Sequence, residues 1–162
     1  VRPLAGLEAS HAIRDAEGPL DKGMIDEIVP FDGARELLAE LGEQGRTGIL
    51  SSSAKADEVE HYVDLLEARD RVTGWTTSAD VEETKPEPDL VEVALAKAGT
   101  REAVMVGDSI WDAEAAKRAG IPTVGVISGG YSEPELRAAG AAEVVESVAD
   151  LRERRELLAT PA

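Results

Sequence analysis

Three short stretches carry residues whose types and spacing could do chemistry. The most informative is Val106-Gly107-Asp108-Ser109-Ile110-Trp111-Asp112. A glycine closing an apolar run is followed at once by a carboxylate. A second carboxylate comes four residues on, about one helical turn away, so both can face one crevice. Paired oxygen ligands with room left for water suit Mg²⁺. The competing role is structural: Asp108 or Ser109 caps a helix and Asp112 answers the helix dipole. The glycine, the apolar run and the spacing together favour the metal. The second stretch is Lys85-Pro86-Glu87-Pro88-Asp89, ahead of a helical pattern. A cation at a helix N-terminus opposes the dipole by about 0.3–1 kcal/mol. That placement makes sense when an anion sits between them, although a lone lysine is ordinarily a surface residue. The third is Ser51-Ser52-Ser53 after Gly48-Ile49-Leu50. A hydroxyl and free backbone N–H groups at a helix start form an anion site, and serine is equally a common N-cap. A hydroxyl, an ammonium and a carboxylate pair describe a site for a phosphate and a divalent cation.

The elements that must position these groups are regular from residue 33 onward. Ala34, Leu37, Leu38 and Leu41 share one helix face, ended by Gly42 and Gly45. Residues 47–50 predict a buried strand. A helix carrying Val59, Val63 and Leu66 follows, and 75–77 fits a further short strand. Pro86 and Pro88 open the next helix, which Gly99 stops, since proline in a first turn loses no needed hydrogen bond. Then come a strand over 103–106, a helix over 110–119, a strand over 121–127, a helix over 134–139, a strand over 142–145 and a helix over 147–158. Strands of four to seven residues alternating with helices predict right-handed βαβ units: an α/β fold with a parallel sheet and helices on both faces. In such sheets ligands sit at the carboxyl ends of the strands, where all three stretches lie. Gly125, Gly129 and Gly130 are read as turn glycines, and Trp75 and Trp111 as packing residues.

Composition narrows the partners. The chain has 162 residues, enough for one domain, and no cysteine, which excludes disulfides and a cysteine nucleophile. His11 and His61 are isolated, so a histidine-rich metal site is not expected. Lys and Arg number 17 against 33 Asp and Glu, a formal charge of −16. Such a chain repels phosphodiester backbones and anionic lipid, so neither nucleic acid nor a membrane is an expected partner. No apolar run approaches the roughly 20 residues of a membrane helix. With no targeting pattern and no cysteine, a cytoplasmic location is expected, as monomer or homodimer.

Ser51, then Lys85, then Asp108 and Asp112 resemble three of the four motifs of the haloacid dehalogenase-like superfamily, on its phosphoglycolate phosphatase and β-phosphoglucomutase side. Ser51 in Gly-Ile-Leu-Ser is similar to its second motif, Lys85 in Lys-Pro-x-Pro to its third, and Gly107 to Asp112 to its fourth, Gly-Asp-Ser-x-x-Asp. Ser78-Ala79-Asp80-Val81 and Pro30-x-x-Gly33 also look like the family. The resemblance implies a Rossmann-like core over 29–162, with 1–28 the remnant of a small helical cap. The family's first motif, Asp-x-Asp-Gly at the end of a central strand, is not matched. Asp15-Ala16-Glu17-Gly18 comes nearest, but Ser-His-Ala-Ile-Arg before it is a poor buried strand. Asp32-Gly33 falls where the chain would return from the cap. The core over 29–162 therefore lacks its first strand, which the resemblance places between the strands ending at Ser51 and Asp108. A hole there would exceed the 5–15 kcal/mol that holds a domain folded, roughly speaking. That strand is expected from residues outside these 162 or from another chain.

The resemblance implies a Mg²⁺-dependent phosphomonoesterase acting on a small phosphorylated metabolite. An aspartate outside these residues would attack phosphorus and form an aspartyl-phosphate. Ser51 and Ser52 would bind the phosphoryl group, and Lys85 would neutralise it and the nucleophile. Asp108 would hold Mg²⁺, with Asp112 as second ligand or as a brace for Lys85. The alternative is a non-catalytic phosphate-binding or interaction module.

Overall fold

The computed structural model describes residues 28–83 and 85–159. The expected cap segment, with Asp15 and Glu17, lies outside them but for its last residue. The described chain runs α1 (Ala34–Glu43), β1 (Ile49–Ser51), α2 (Ala56–Leu65), β2 (Gly74–Thr76), a 3₁₀ turn (Ser78–Asp80), α3 (Asp89–Ala98), β3 (Met105–Gly107), α4 (Ile110–Ala119), β4 (Thr123–Val126), α5 (Glu133–Ala139), β5 (Glu143–Val145), α6 (Val148–Glu153) and a 3₁₀ turn (Arg155–Leu158). The α/β alternation expected from the sequence is what the chain adopts.

All strand pairs are parallel, but they form two sheets: β1 with β2, and β3-β4-β5. Among the described residues β1 and β3 each keep one edge unpaired. Alternation along the strands sorts the helices into two layers. Leu50 packs with Val59 and Val63 of α2 and Leu38 of α1, while Val124, Val126 and Val145 pack with Leu37 of α1 and Leu151 of α6. Met105 turns the other way, onto Val91 and Leu95 of α3 and the alanines of α4. Val144 meets Leu136 of α5. Two helices therefore reach both sheets. α1 places neighbouring Leu37 and Leu38 in different clusters, and α3 packs on β1, β2 and α4. The buried side of α4 is Ala113, Ala115, Ala116 and Ala119, small side chains that let it lie close to its neighbours.

Several expectations need correction. Gly125 is not a turn glycine but a paired residue inside β4. α3 begins at Asp89, with Pro88 as its N-cap, rather than at Pro86. Residues 85–88 form a turn opened by a cis Lys85–Pro86 bond. The last helix breaks at Arg154 (φ −106°, ψ 35°) into the 3₁₀ turn, which brings Leu157 and Leu158 onto the Leu37–Leu151 cluster. Trp111 is 44% exposed, not a packing residue, because α4 meets the core with its alanines.

The chain leaving β2 is tied down in the 3₁₀ turn that follows. The Thr77 backbone N–H and hydroxyl both donate to Asp80 Oδ2, at 2.7 and 3.0 Å, and Lys97 Nζ of α3 lies 3.1 Å from Oδ1. The Thr77 N–H first, then Lys97, hold the Asp80 carboxyl below its ordinary value. A carboxyl depressed on folding stabilises the protein above its unfolded pKa, and that contribution is lost as pH falls through the folded value. Asp80→Asn should therefore lower the urea midpoint at pH 7, and the gap to wild type should close below about pH 4, near the unfolded carboxylate value. Leu151→Ala, at a site with 0% exposure, should cost about 2–5 kcal/mol in the same urea titration at any pH in the folded range.

Candidate active site

The turn between β3 and α4 is built around one carboxylate. Ser109 is the N-cap of α4; its hydroxyl accepts from the Asp112 N–H at 3.2 Å and donates to Asp112 Oδ2 at 2.7 Å. The same Oδ2 accepts from the backbone N–H groups of Ser109 (3.2 Å) and Asp108 (3.3 Å). Asp112 Oδ1 lies 2.6 Å from Lys85 Nζ. Asp112 is only 6% exposed, and removing a carboxylate from water is costly unless its lone pairs are used. Here every contact is with a donor or a cation. Its capping role and its charge role are thus the same role, and of the two placements open to it the geometry favours the brace for Lys85. Gly107 makes this possible: a Cβ there would stand 2.4 Å from the Cβ of Asp112.

Lys85 is held at the mouth of this turn with its side chain 17% exposed. Asp112 is its one charged partner among the described residues. An ammonium has three donors, so this pairing leaves capacity for an anion. The half-buried Asp108 carboxylate is bonded to neither Asp112 nor Lys85 among the described residues. Its Oδ2 accepts from the Ser128 hydroxyl at 3.1 Å, in the turn after β4.

Ser51 ends β1, in the other sheet, and no hydrogen bond joins it to Lys85, Asp108 or Asp112 among the described residues. Its hydroxyl oxygen is buried with no hydrogen-bond partner among the described residues. A buried unpaired hydroxyl costs about 1–3 kcal/mol, so the Ser51 Oγ is a group with hydrogen-bonding capacity to spare. Ser52 is differently employed. Its hydroxyl accepts from the Ala54 N–H at 3.2 Å, and its N–H donates to Thr76 Oγ1 at 3.1 Å, tying β1 to β2. None of the three serines caps α2; its N-cap is Lys55, without a side-chain bond.

The donor set suits a hard cation. Asp108 offers one carboxylate with its Oδ1 outside any hydrogen bond among the described residues, and no three acidic or histidine side chains converge there. That is the pattern of Mg²⁺, which keeps waters and takes one or two carboxylates plus substrate phosphate. Two contributors escaped the sequence expectations. Gly129 is more than a turn residue, since a Cβ on it would stand 2.3 Å from the Asp108 carbonyl oxygen. Ser128 carried no signal of its own except its place at the end of a strand.

The chain is similar in sequence and fold to known proteins. The family model for haloacid dehalogenase-like hydrolases matches residues 9–126. A phosphoglycolate phosphatase of Caulobacter vibrioides is 30% identical over 130 residues, 79% of this chain and 54% of that protein. The pyrophosphatase PpaX of Bacillus velezensis is 35% identical over 105 residues, 62% of this chain and 48% of that one. The chain thus spans about half the length of these curated relatives. The crystal structure of a hydrolase from Pseudomonas syringae superimposes with a TM-score of 0.85 at 29% identity, covering 96% of this chain and 73% of that one. With a matching family model across most of its length and the same fold in a solved hydrolase, the chain belongs to the haloacid dehalogenase-like hydrolase family.

Proposed function

We propose that the protein is a Mg²⁺-dependent phosphomonoester hydrolase acting on a small phosphorylated metabolite. The observation that carries this reading is the Lys85–Asp112 pair, 2.6 Å long, set beside Asp108 at the carboxyl end of β3. A braced ammonium next to an available carboxylate is an arrangement for an anion and a cation together. In the proposed reaction an aspartate outside the described residues attacks phosphorus, the ester oxygen leaves, and water hydrolyses the aspartyl-phosphate. Ser51 donates its unpaired hydroxyl to a phosphoryl oxygen. Lys85 lies against the phosphoryl group and offsets its charge, kept in place by Asp112 so that no reorganisation is needed as charge shifts. Asp108 holds Mg²⁺, which when bound supplies charge neutralisation at the phosphoryl oxygens. Ser52, bonded to Thr76 of β2 and to the Ala54 N–H, aligns the backbone after Ser51. Positioning and charge stabilisation are the main demands of phosphoryl transfer, and these residues meet both.

The protein produced from its complete gene should release phosphate from small phosphomonoesters in steady state only with Mg²⁺. Asp108→Ala should abolish that turnover. Release without Mg²⁺, or activity kept by Asp108→Ala, overturns the cation assignment. No steady-state release at all would leave a phosphate-binding module. Ser51→Ala and Lys85→Met should each lower kcat by about 10²- to 10³-fold, the usual loss for one charge-stabilising donor. Asp112→Asn should reproduce most of the Lys85→Met loss, because Lys85 would keep its charge but lose its anchor.

A further inference from the structure

We infer that the Ser128–Gly129 turn is a positioning element that sets the Asp108 carboxylate for cation binding. This rests on the assignment of the cation to Asp108. β4 is buried along its whole length, and its exit is pinned: the Ile127 N–H donates to the Val145 carbonyl at 3.0 Å and the Ser128 N–H to that of Val126 at 2.9 Å. From this fixed base the Ser128 hydroxyl donates to Asp108 Oδ2 at 3.1 Å. Gly129 lies against the same residue. A Cβ there would stand 2.3 Å from the Asp108 carbonyl oxygen and 2.8 Å from its carboxyl carbon, the first of them backbone that cannot swing aside. On the other side, the Asp108 N–H is tied to Asp112 Oδ2.

Asp108 is therefore gripped from two directions, by its own helix and by a neighbouring strand. One oxygen of its carboxylate is taken by Ser128 and the other is left for a ligand. A ligating carboxylate held in one rotamer gives up less freedom on binding than one that must be caught. Partners that orient metal ligands in this way are worth about 10- to 100-fold in metal affinity. Ser128 touches neither phosphate nor cation in this scheme; it acts through Asp108.

The test is a calorimetric titration of Mg²⁺ into the full-length protein and its Ser128→Ala, Ser128→Thr, Gly129→Ala and Asp108→Asn variants, with Mg²⁺-free thermal melts of each. Ser128→Ala should bind Mg²⁺ about 10- to 100-fold more weakly with an unchanged Mg²⁺-free melt, and Ser128→Thr, which keeps the hydroxyl, should restore the affinity. Gly129→Ala should weaken binding at least as much. The deficit of Ser128→Ala in phosphate release should be repaired by excess Mg²⁺. Wild-type affinity in Ser128→Ala, alongside loss of binding in Asp108→Asn, overturns the positioning role and leaves the cation assignment standing. Wild type that takes up no Mg²⁺, or Asp108→Asn that binds as wild type does, overturns the cation assignment and this inference with it.

Discussion

The Asp112 carboxylate is the constraint on which the site depends. One of its oxygens closes the β3–α4 turn by collecting the donors of Asp108 and Ser109; the other holds Lys85, which arrives from a loop 27 residues earlier in the chain. A single group thus sets the spacing between an ammonium and a second carboxylate. Because Asp112 is buried, its attraction for Lys85 is less screened than a surface pair would be. The surface ion pairs of this molecule, such as those of Arg69 with Glu60 and Asp64, have no comparable hold on the fold.

That local rigidity sits in a framework that is less continuous than a single sheet. β1 and β3 belong to different sheets, so backbone hydrogen bonds do not carry the position of Ser51 across to Asp108 among the described residues. Helix packing does. α3 leaves the Lys85 turn, lies on β1 and β2, and places Val91 and Leu95 against α4. α1 does the same work from the other layer through Leu37 and Leu38. The electrostatics are also arranged locally. A net charge of −16 draws divalent cations and repels phosphate esters at long range. In the proposed reaction, Lys85 and a bound cation would offset that repulsion where the ester docks.

Much of this was legible in the sequence, for physical reasons that differ by element. The strands around Leu50, Val106, Val124 and Val144 are short apolar runs, a signature that does not depend on how fully each strand is covered: β4 is buried throughout, while Val106 of β3 is 40% exposed. Gly99 and Gly120 marked helix ends because each takes a left-handed conformation. Lys85, Asp108 and Asp112 stood out by residue type at strand and helix boundaries. The separation of the sheets was not legible, since pairing is decided between strands and each strand alone looks the same. The break at Arg154 follows from tertiary packing of Leu157 and Leu158, which a helical pattern over 147–158 conceals. Trp111 was misread because size suggested burial, while the face that packs is made of alanine. Ser128 was invisible, as a serine after a strand has many uses.

Gly107, closing β3, and Gly129, in the turn after β4, face the same carboxylate pair, each with no space for even a methyl group. Any single-base change in a glycine codon that replaces the residue without ending the chain introduces a Cβ. At most surface positions such changes pass unnoticed; at these two, every one of them drives an atom into Asp112 or Asp108. Point mutation offers no gradual route by which these positions could be retuned. Exchange of Asp108 for the isosteric asparagine adds no atom to the turn, so at that position the site can lose its charge more easily than its shape.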